Sequence, residues 1–263
     1  MRRLEGARVL VTGAAGGMGR AHCIRLAEEG ASVIALDMAA SGLDETASAV
    51  RDLGGAAVTG IADIRNYEEL AAVVADCVAE IGGLDVVVAN AGVYDTPGPT
   101  WTIDPSVWNR SLDVNLTGTW HTVKACVPHF DNGGSVVLVS STAGIKGIAG
   151  AGHYSSAKHA VVGLARTLAN ELGAQSIRVN SVHPGSVRTP MIINERVFAN
   201  LCPGIENPTE SDAAAVLSAR NLLPVPWVDP VDVSNAVLFL ASEESRYMTG
   251  CQLVVDAGLT QKV

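Results

Sequence analysis

Long apolar runs, paired cysteines and blocks of basic charge are all missing from this chain, and each absence removes a class of function. No apolar stretch approaches the roughly 20 residues that a helix needs to cross a bilayer. The opening Met1-Arg2-Arg3-Leu4-Glu5-Gly6 carries charge with no apolar segment behind it, so neither secretion nor membrane insertion is expected. The five cysteines, Cys23, Cys77, Cys126, Cys202 and Cys251, stand singly. Such spacing builds no zinc site, and an odd, dispersed set suits reduced thiols in a cytoplasmic enzyme, so no metal is expected. Lysine and arginine number 18 against 27 acids and are scattered, leaving a net charge of −9 with no compensating basic patch. The electrostatic footprint of a nucleic-acid binder is therefore absent. Charged residues make up only 17% of the chain against 48% hydrophobic, a balance that implies surface covered by helices or by further copies of the chain.

What is present is an alternation of strand and helix patterns. A length of 263 residues suits one α/β domain, expected to span residues 1–263. Ala7 to Thr12 reads as a buried strand that breaks into Gly13-Ala14-Ala15-Gly16-Gly17-Met18-Gly19, followed by a helical pattern to Glu29 and a stop at Gly30. Glycines in such a turn let a pyrophosphate approach a helix N-terminus, which makes Gly13, Gly17, Met18 and Gly19 candidate cofactor contacts, although an ordinary strand-to-helix turn reads the same way. A second strand, Ala31 to Leu36, ends in Asp37, whose carboxylate would accept the ribose hydroxyls and repel a 2′-phosphate. No Lys or Arg follows Asp37, so NAD is expected over NADP.

The alternation continues with a helix near Leu43 to Leu53, a strand Ala56 to Ile61, a helix Tyr67 to Ile81 and a strand Leu84 to Ala89. It predicts a Rossmann-type, doubly wound parallel sheet of about seven strands with helices on both faces. Asp63 and Ile64 fall at the carboxyl edge of the third strand, where they could hold an adenine ring; Asp63 is equally readable as a helix cap or a turn residue. Asn90-Ala91-Gly92 closes the fourth strand and suits a wall beside the cofactor. In Tyr154-Ser155-Ser156-Ala157-Lys158, phenol and ammonium lie one helical turn apart on the same face, and the cation is expected to lower the phenol pKa.

Thr12-Gly13 with its glycine turn, Asn90-Ala91-Gly92, Ser141, and Tyr154 with Lys158 together resemble a classical short-chain dehydrogenase/reductase across nearly the whole chain. Ser141 stands thirteen positions before Tyr154, as the family's substrate-binding serine does. It closes the strand Ser135 to Ser140, whose alternation turns Ser140 to the other face. The resemblance also implies a catalytic asparagine at Asn115, which brackets a water joining the lysine to solvent. After the strand Ile177 to Val182 it implies a nicotinamide clamp at Pro184, Gly185, Val187 and Thr189. Glu206-Asn207-Pro208-Thr209, Asn221 to Val228 and Tyr247-Met248-Thr249-Gly250 narrow the likeness to the carveol dehydrogenase subgroup, whose mycofactocin-associated members hold NAD without exchange. Those members carry an insertion after the second strand that this chain lacks, so exchangeable NAD is expected. The helices Asp104 to Phe130 and Tyr154 to Leu172 resemble the pair the family packs between copies, which implies a homotetramer, with a dimer as fallback.

Between Thr189 and Asp229 the sheet pattern stops, leaving an apolar segment, 189–229, at the sheet's carboxyl edge where a substrate lid would sit. Tyr94, His153, Met191 and Trp227 are the candidate pocket residues, with few ionic groups facing an apolar substrate. His159 and His183 are expected to be packed or solvent-facing. The implied activity is hydride transfer between NAD and an apolar, cyclic or terpenoid-like secondary alcohol or its ketone, with Tyr154 moving the proton, Lys158 tuning it and Ser141 holding the oxygen. The competing readings are an NADPH-dependent carbonyl reductase and a non-catalytic protein that senses NAD.

Overall fold

The computed structural model describes residues 2–95 and 97–263. Strands β1 (Arg8–Thr12), β2 (Ser32–Asp37), β3 (Ala57–Ile61), β4 (Leu84–Ala89), β5 (Phe130–Val139), β6 (Ile177–Pro184) and β7 (Gln252–Val255) form one seven-stranded sheet in the order β3-β2-β1-β4-β5-β6-β7. Every pairing is parallel. The helices are α1 (Gly17–Glu28), α2 (Ala40–Asp52), α3 (Tyr67–Ile81), α4 (Pro105–Leu112), α5 (Thr119–Cys126), α6 (Gly152–Leu172), α7 (Glu195–Leu201), α8 (Glu210–Arg220) and α9 (Pro230–Ala241). Among the described residues no helix is long and apolar enough to cross a membrane.

The strands read as near-continuous apolar runs because both sheet faces are covered. Leu10, Ile34, Val87 and Leu138 point into one core, closed by Leu70 and Val74 of α3, Val123 of α5 and Val161 of α6. Their neighbours Val9, Val33, Val88 and Val137 point into the other, closed by Leu26 of α1 and Val237 and Leu238 of α9. Strand order reverses between β1 and β4, which opens a crevice at their carboxyl ends.

One element departs from the sequence reading. The continuous helix expected over Asp104 to Phe130 is broken into α4, a π-helical turn over Asp113–Gly118, α5 and a 3₁₀ turn over Val127–His129, and β5 begins at Phe130 rather than Ser135. Pro128 offers no N–H to continue α5. The wide turn is held by the Asn115 side chain, which is drawn across to the backbone of Val93. Gly118 is required beside it, because a Cβ there would stand 2.5 Å from Ile64 Cδ1.

Candidate active site

The carboxyl ends of β1, β2 and β4 are laced together around the glycine turn. Thr12 Oγ1 accepts from the backbone N–H groups of Asn90 (3.1 Å) and Ala91 (3.2 Å), and Asn90 Nδ2 donates back to Thr12 O at 2.9 Å. Gly13 adopts φ +70°, and a Cβ at Gly19 would lie 2.0 Å from Gly13 O, so neither of these two positions tolerates a side chain. Helix α1 starts with no side-chain cap and no acid in its first turn, leaving its N–H groups free for an anion. Asp37 closes the far side, accepting from Ala15 N at 3.0 Å and Ala39 N at 3.1 Å. Asp63 stands just past β3 as a turn residue rather than a helix cap: it accepts from Arg65 N at 2.9 Å and pairs with the Arg65 guanidinium at 2.5 Å, and the cap of α3 is Asn66. Ile64 is buried, and its carbonyl lies 2.9 Å from His121 Nδ1.

Tyr154 and Lys158 share the inner face of α6. Lys158 is 3% exposed and donates to Val139 O at 2.9 Å, with its Nζ 5.6 Å from the Tyr154 ring centroid. Burial pulls its pKa down to about 8. Burial also pushes the Tyr154 phenol up to about 12, a hydrogen bond with the Ser141 side chain holding it back in part. The expectation that Lys158 draws the phenol down is therefore corrected: with no anion beside either group, loss of water favours the neutral form of both. Ser141 is the serine that meets Tyr154, whereas Ser140 Oγ turns into the fold and donates to Lys158 O at 2.9 Å. His183 steadies this strand end, its Nδ1 lying 2.9 Å from Ser141 O. Asn115 is fully buried, donating to Ser111 O and Val93 O at 3.0 Å each and accepting from Val93 N. A Cβ at Gly92 would lie 2.8 Å from Asn115 Oδ1 and 3.5 Å from Lys158 Nζ, so Gly92, Asn115 and Lys158 converge.

These groups open onto a cleft of about 620 Å³. Met18, Ser141, Tyr154, Pro184, Gly185, Val187 and Thr189 line it, and Thr189 Cβ would lie 3.7 Å from a Cβ at Gly17, so the clamp segment faces the glycine turn. Tyr94 and Met191 line it as expected, Tyr94 meeting the Tyr154 ring edge-on at 5.2 Å. Two pocket candidates are corrected. His153 is fully buried and outside the cleft, because it sits one residue from Tyr154 and so points about 100° away around the helix. Trp227 also lies outside, under the Arg188 guanidinium at 5.8 Å. The sequence reading missed Ile148, Leu217, Arg220, Leu259 and Lys262, all of which line the cleft. The few ionic groups it expected there are Lys146, Arg220 and Lys262, which it did not name.

Residues 13–260 match the family model described as enoyl-(acyl carrier protein) reductase. The (-)-trans-carveol dehydrogenase of Rhodococcus erythropolis is 49% identical, with all of both chains covered. The trans-4-hydroxycyclohexanecarboxylate dehydrogenase of Sinomonas cyclohexanicum is 37% identical over 95% of this chain and 92% of its own. Among solved structures, carveol dehydrogenase from Mycobacterium avium in complex with NAD superposes with a TM-score of 0.98 at 46% identity, with full coverage of both chains. The parallel sheet, the glycine turn under Asp37 and the Ser141, Tyr154 and Lys158 cluster agree with these likenesses: the chain belongs to the short-chain dehydrogenase/reductase family and is an NAD-dependent oxidoreductase.

Proposed function

We propose that this enzyme interconverts a cyclic secondary alcohol and its ketone. The observation that carries the reading is that the Tyr154 phenol and Ser141 line one largely apolar cleft that runs on to Met18 and Thr189. The likeness to dehydrogenases of carveol and of hydroxycyclohexanecarboxylates supports a ring-bearing substrate.

Gly13, Gly17, Met18, Gly19, Asp37, Asp63, Ile64, Asn90, Ala91 and Gly92 would hold the adenosine and pyrophosphate of NAD, and Pro184, Gly185, Val187, Thr189 and Lys158 its nicotinamide half. The uncapped α1 terminus and the glycines of the turn fit a pyrophosphate, and the Asp37 carboxylate fits an unphosphorylated ribose. NAD held there would supply the hydride acceptor for oxidation of the carbinol carbon and, as NADH, the hydride donor for reduction. Tyr154 takes the hydroxyl proton during oxidation and gives it to the ketone oxygen during reduction. Ser141 donates a hydrogen bond to that oxygen as its charge develops. A phenol held near about 12 is protonated at neutral pH and set to donate, so oxidation runs faster as pH rises. Asn115 is a positioning residue, fixing Val93 and the Gly92 approach beside Lys158.

Within one domain spanning 1–263, segment 189–229, with α7 and α8, acts as the lid: Met191, Ile192, Val197 and Leu201 present its apolar side to the cleft. The low charge content supports a homotetramer, the single, dispersed thiols support a cytoplasmic location, and the short connection from Asp37 to α2 supports exchangeable NAD. Initial rates on a panel of cyclic secondary alcohols, with NAD and with NADP, test the reading. Steady NADH formation supports it. Saturable NAD binding with no turnover of any member, or a strong NADP preference, overturns it.

A further inference from the structure

Every ionic side chain that lines the cleft is a cation, in a chain with more acids than bases. Lys146, Arg220 and Lys262 are on its wall, and no Asp or Glu is among the described lining residues. Lys146 follows Ser141 in the connection from β5 to α6, Arg220 is the last residue of α8, and Lys262 follows β7. All three therefore come from the β5 to β7 half of the sheet, while the glycine turn that receives a pyrophosphate belongs to β1. Among the described residues no carboxylate lies within 4.0 Å of any of the three, whereas eight arginines elsewhere are paired with acids. Lys262 is anchored to the two residues that flank Arg220: its ammonium donates to Ala219 O at 2.5 Å and Asn221 O at 2.9 Å, which leaves one N–H of three unspent. Unpaired cations at the rim of a low-dielectric apolar wall attract an anion more strongly than the same charges in open water.

We infer that the cleft is built for a cyclic alcohol or ketone that also carries a carboxylate, the ring lying on the apolar wall and the anion reaching Lys146, Arg220 and Lys262. The inference rests on the proposed reaction only for the identity of the ring substrate; recognition of the anion is measurable without turnover.

The test is calorimetric binding of two non-reacting probes, cyclohexanecarboxylate and cyclohexanecarboxamide, to the protein saturated with NAD. The acid is expected to bind at least about tenfold more tightly than the amide at low salt. That ratio should shrink as ionic strength rises toward a Debye length of about 3 Å, and should fall several-fold in Arg220→Gln and in Lys146→Gln. Equal binding of acid and amide, or a ratio that ignores both substitutions, overturns the inference. So does a weakening of NAD binding in these variants that accounts for the whole effect, because it would assign the cations to the cofactor. A preference for the acid with no oxidation of any cyclic alcohol would overturn the proposed reaction and leave the anion site standing.

Discussion

Lys158 Nζ donates to the carbonyl oxygen of Val139, the last residue of β5, at 2.9 Å, with 3% of the side chain's residue surface open to water. A cation so placed has a dipole for a partner but no anion, and it costs folding free energy.

The first prediction is a separation of activity from stability at this residue. Burial lowers the Lys158 pKa from 10.5 to about 8, so the folded chain binds fewer protons than the unfolded chain between those values, and stability rises with pH across that window. Lys158→Met should abolish turnover, raise the unfolding free energy at pH 7 by about 1–3 kcal/mol and flatten the rise between pH 8 and 10.5. Urea unfolding at a series of pH values, beside NADH assays, checks it. A less stable variant at pH 7 would contradict the argument.

Cofactor choice should follow Asp37. Its carboxylate accepts from Ala15 N and Ala39 N, and the next side chain, Met38, is 67% exposed and uncharged. Asp37→Ser is expected to raise KM for NAD by about 10- to 100-fold, the value of one or two hydrogen bonds to a charged group. Asp37→Ser with Met38→Arg should go further and favour NADP. Steady-state kinetics with both cofactors measure this; an unchanged NAD preference in the double variant would sink it.

Acid sensitivity should trace in part to His22. The ring is fully buried, Nδ1 lies 2.7 Å from Ser234 Oγ, and burial lowers its pKa from 6.5 to about 3. The folded-state value lies below the unfolded one, so the unfolded chain takes up the proton first. Stability is then lost as pH falls from 6.5 toward 3, by on the order of 4 kcal/mol at the lower end. His22→Gln should show a shallower decline in urea midpoint between pH 7 and pH 4. An unchanged slope would remove His22 from the account.

The sheet was legible because parallel strands covered on both faces leave apolar runs, as at 33–36 and 86–89, and because polar residues such as Asp37 and Asn90 end them. Tyr154 and Lys158 were legible as a pair through helical spacing, and Ser141 through the resemblance to the family, whose serine stands thirteen positions before the tyrosine. The break near Asn115 was not, because the tie that holds it runs to Val93, on a separate connection, and local pattern carries no such information. His153 and Trp227 were misplaced for a related reason: adjacency in sequence to Tyr154, or to a lid, does not say which way a side chain turns. The sign of the Tyr154 shift was also hidden, because it is set by burial, which only the folded chain shows.

The central claim is that the Tyr154 oxygen exchanges the substrate proton. Tyr154→Phe removes that oxygen and keeps the ring that packs edge-on against Tyr94. The most direct measurement is kcat for NAD-linked oxidation of a cyclic secondary alcohol by this variant, with NADH affinity followed by fluorescence titration. The account predicts a loss of about 10²- to 10⁴-fold in kcat with NADH affinity within about threefold of the parent. Oxidation at near the parental rate would contradict it.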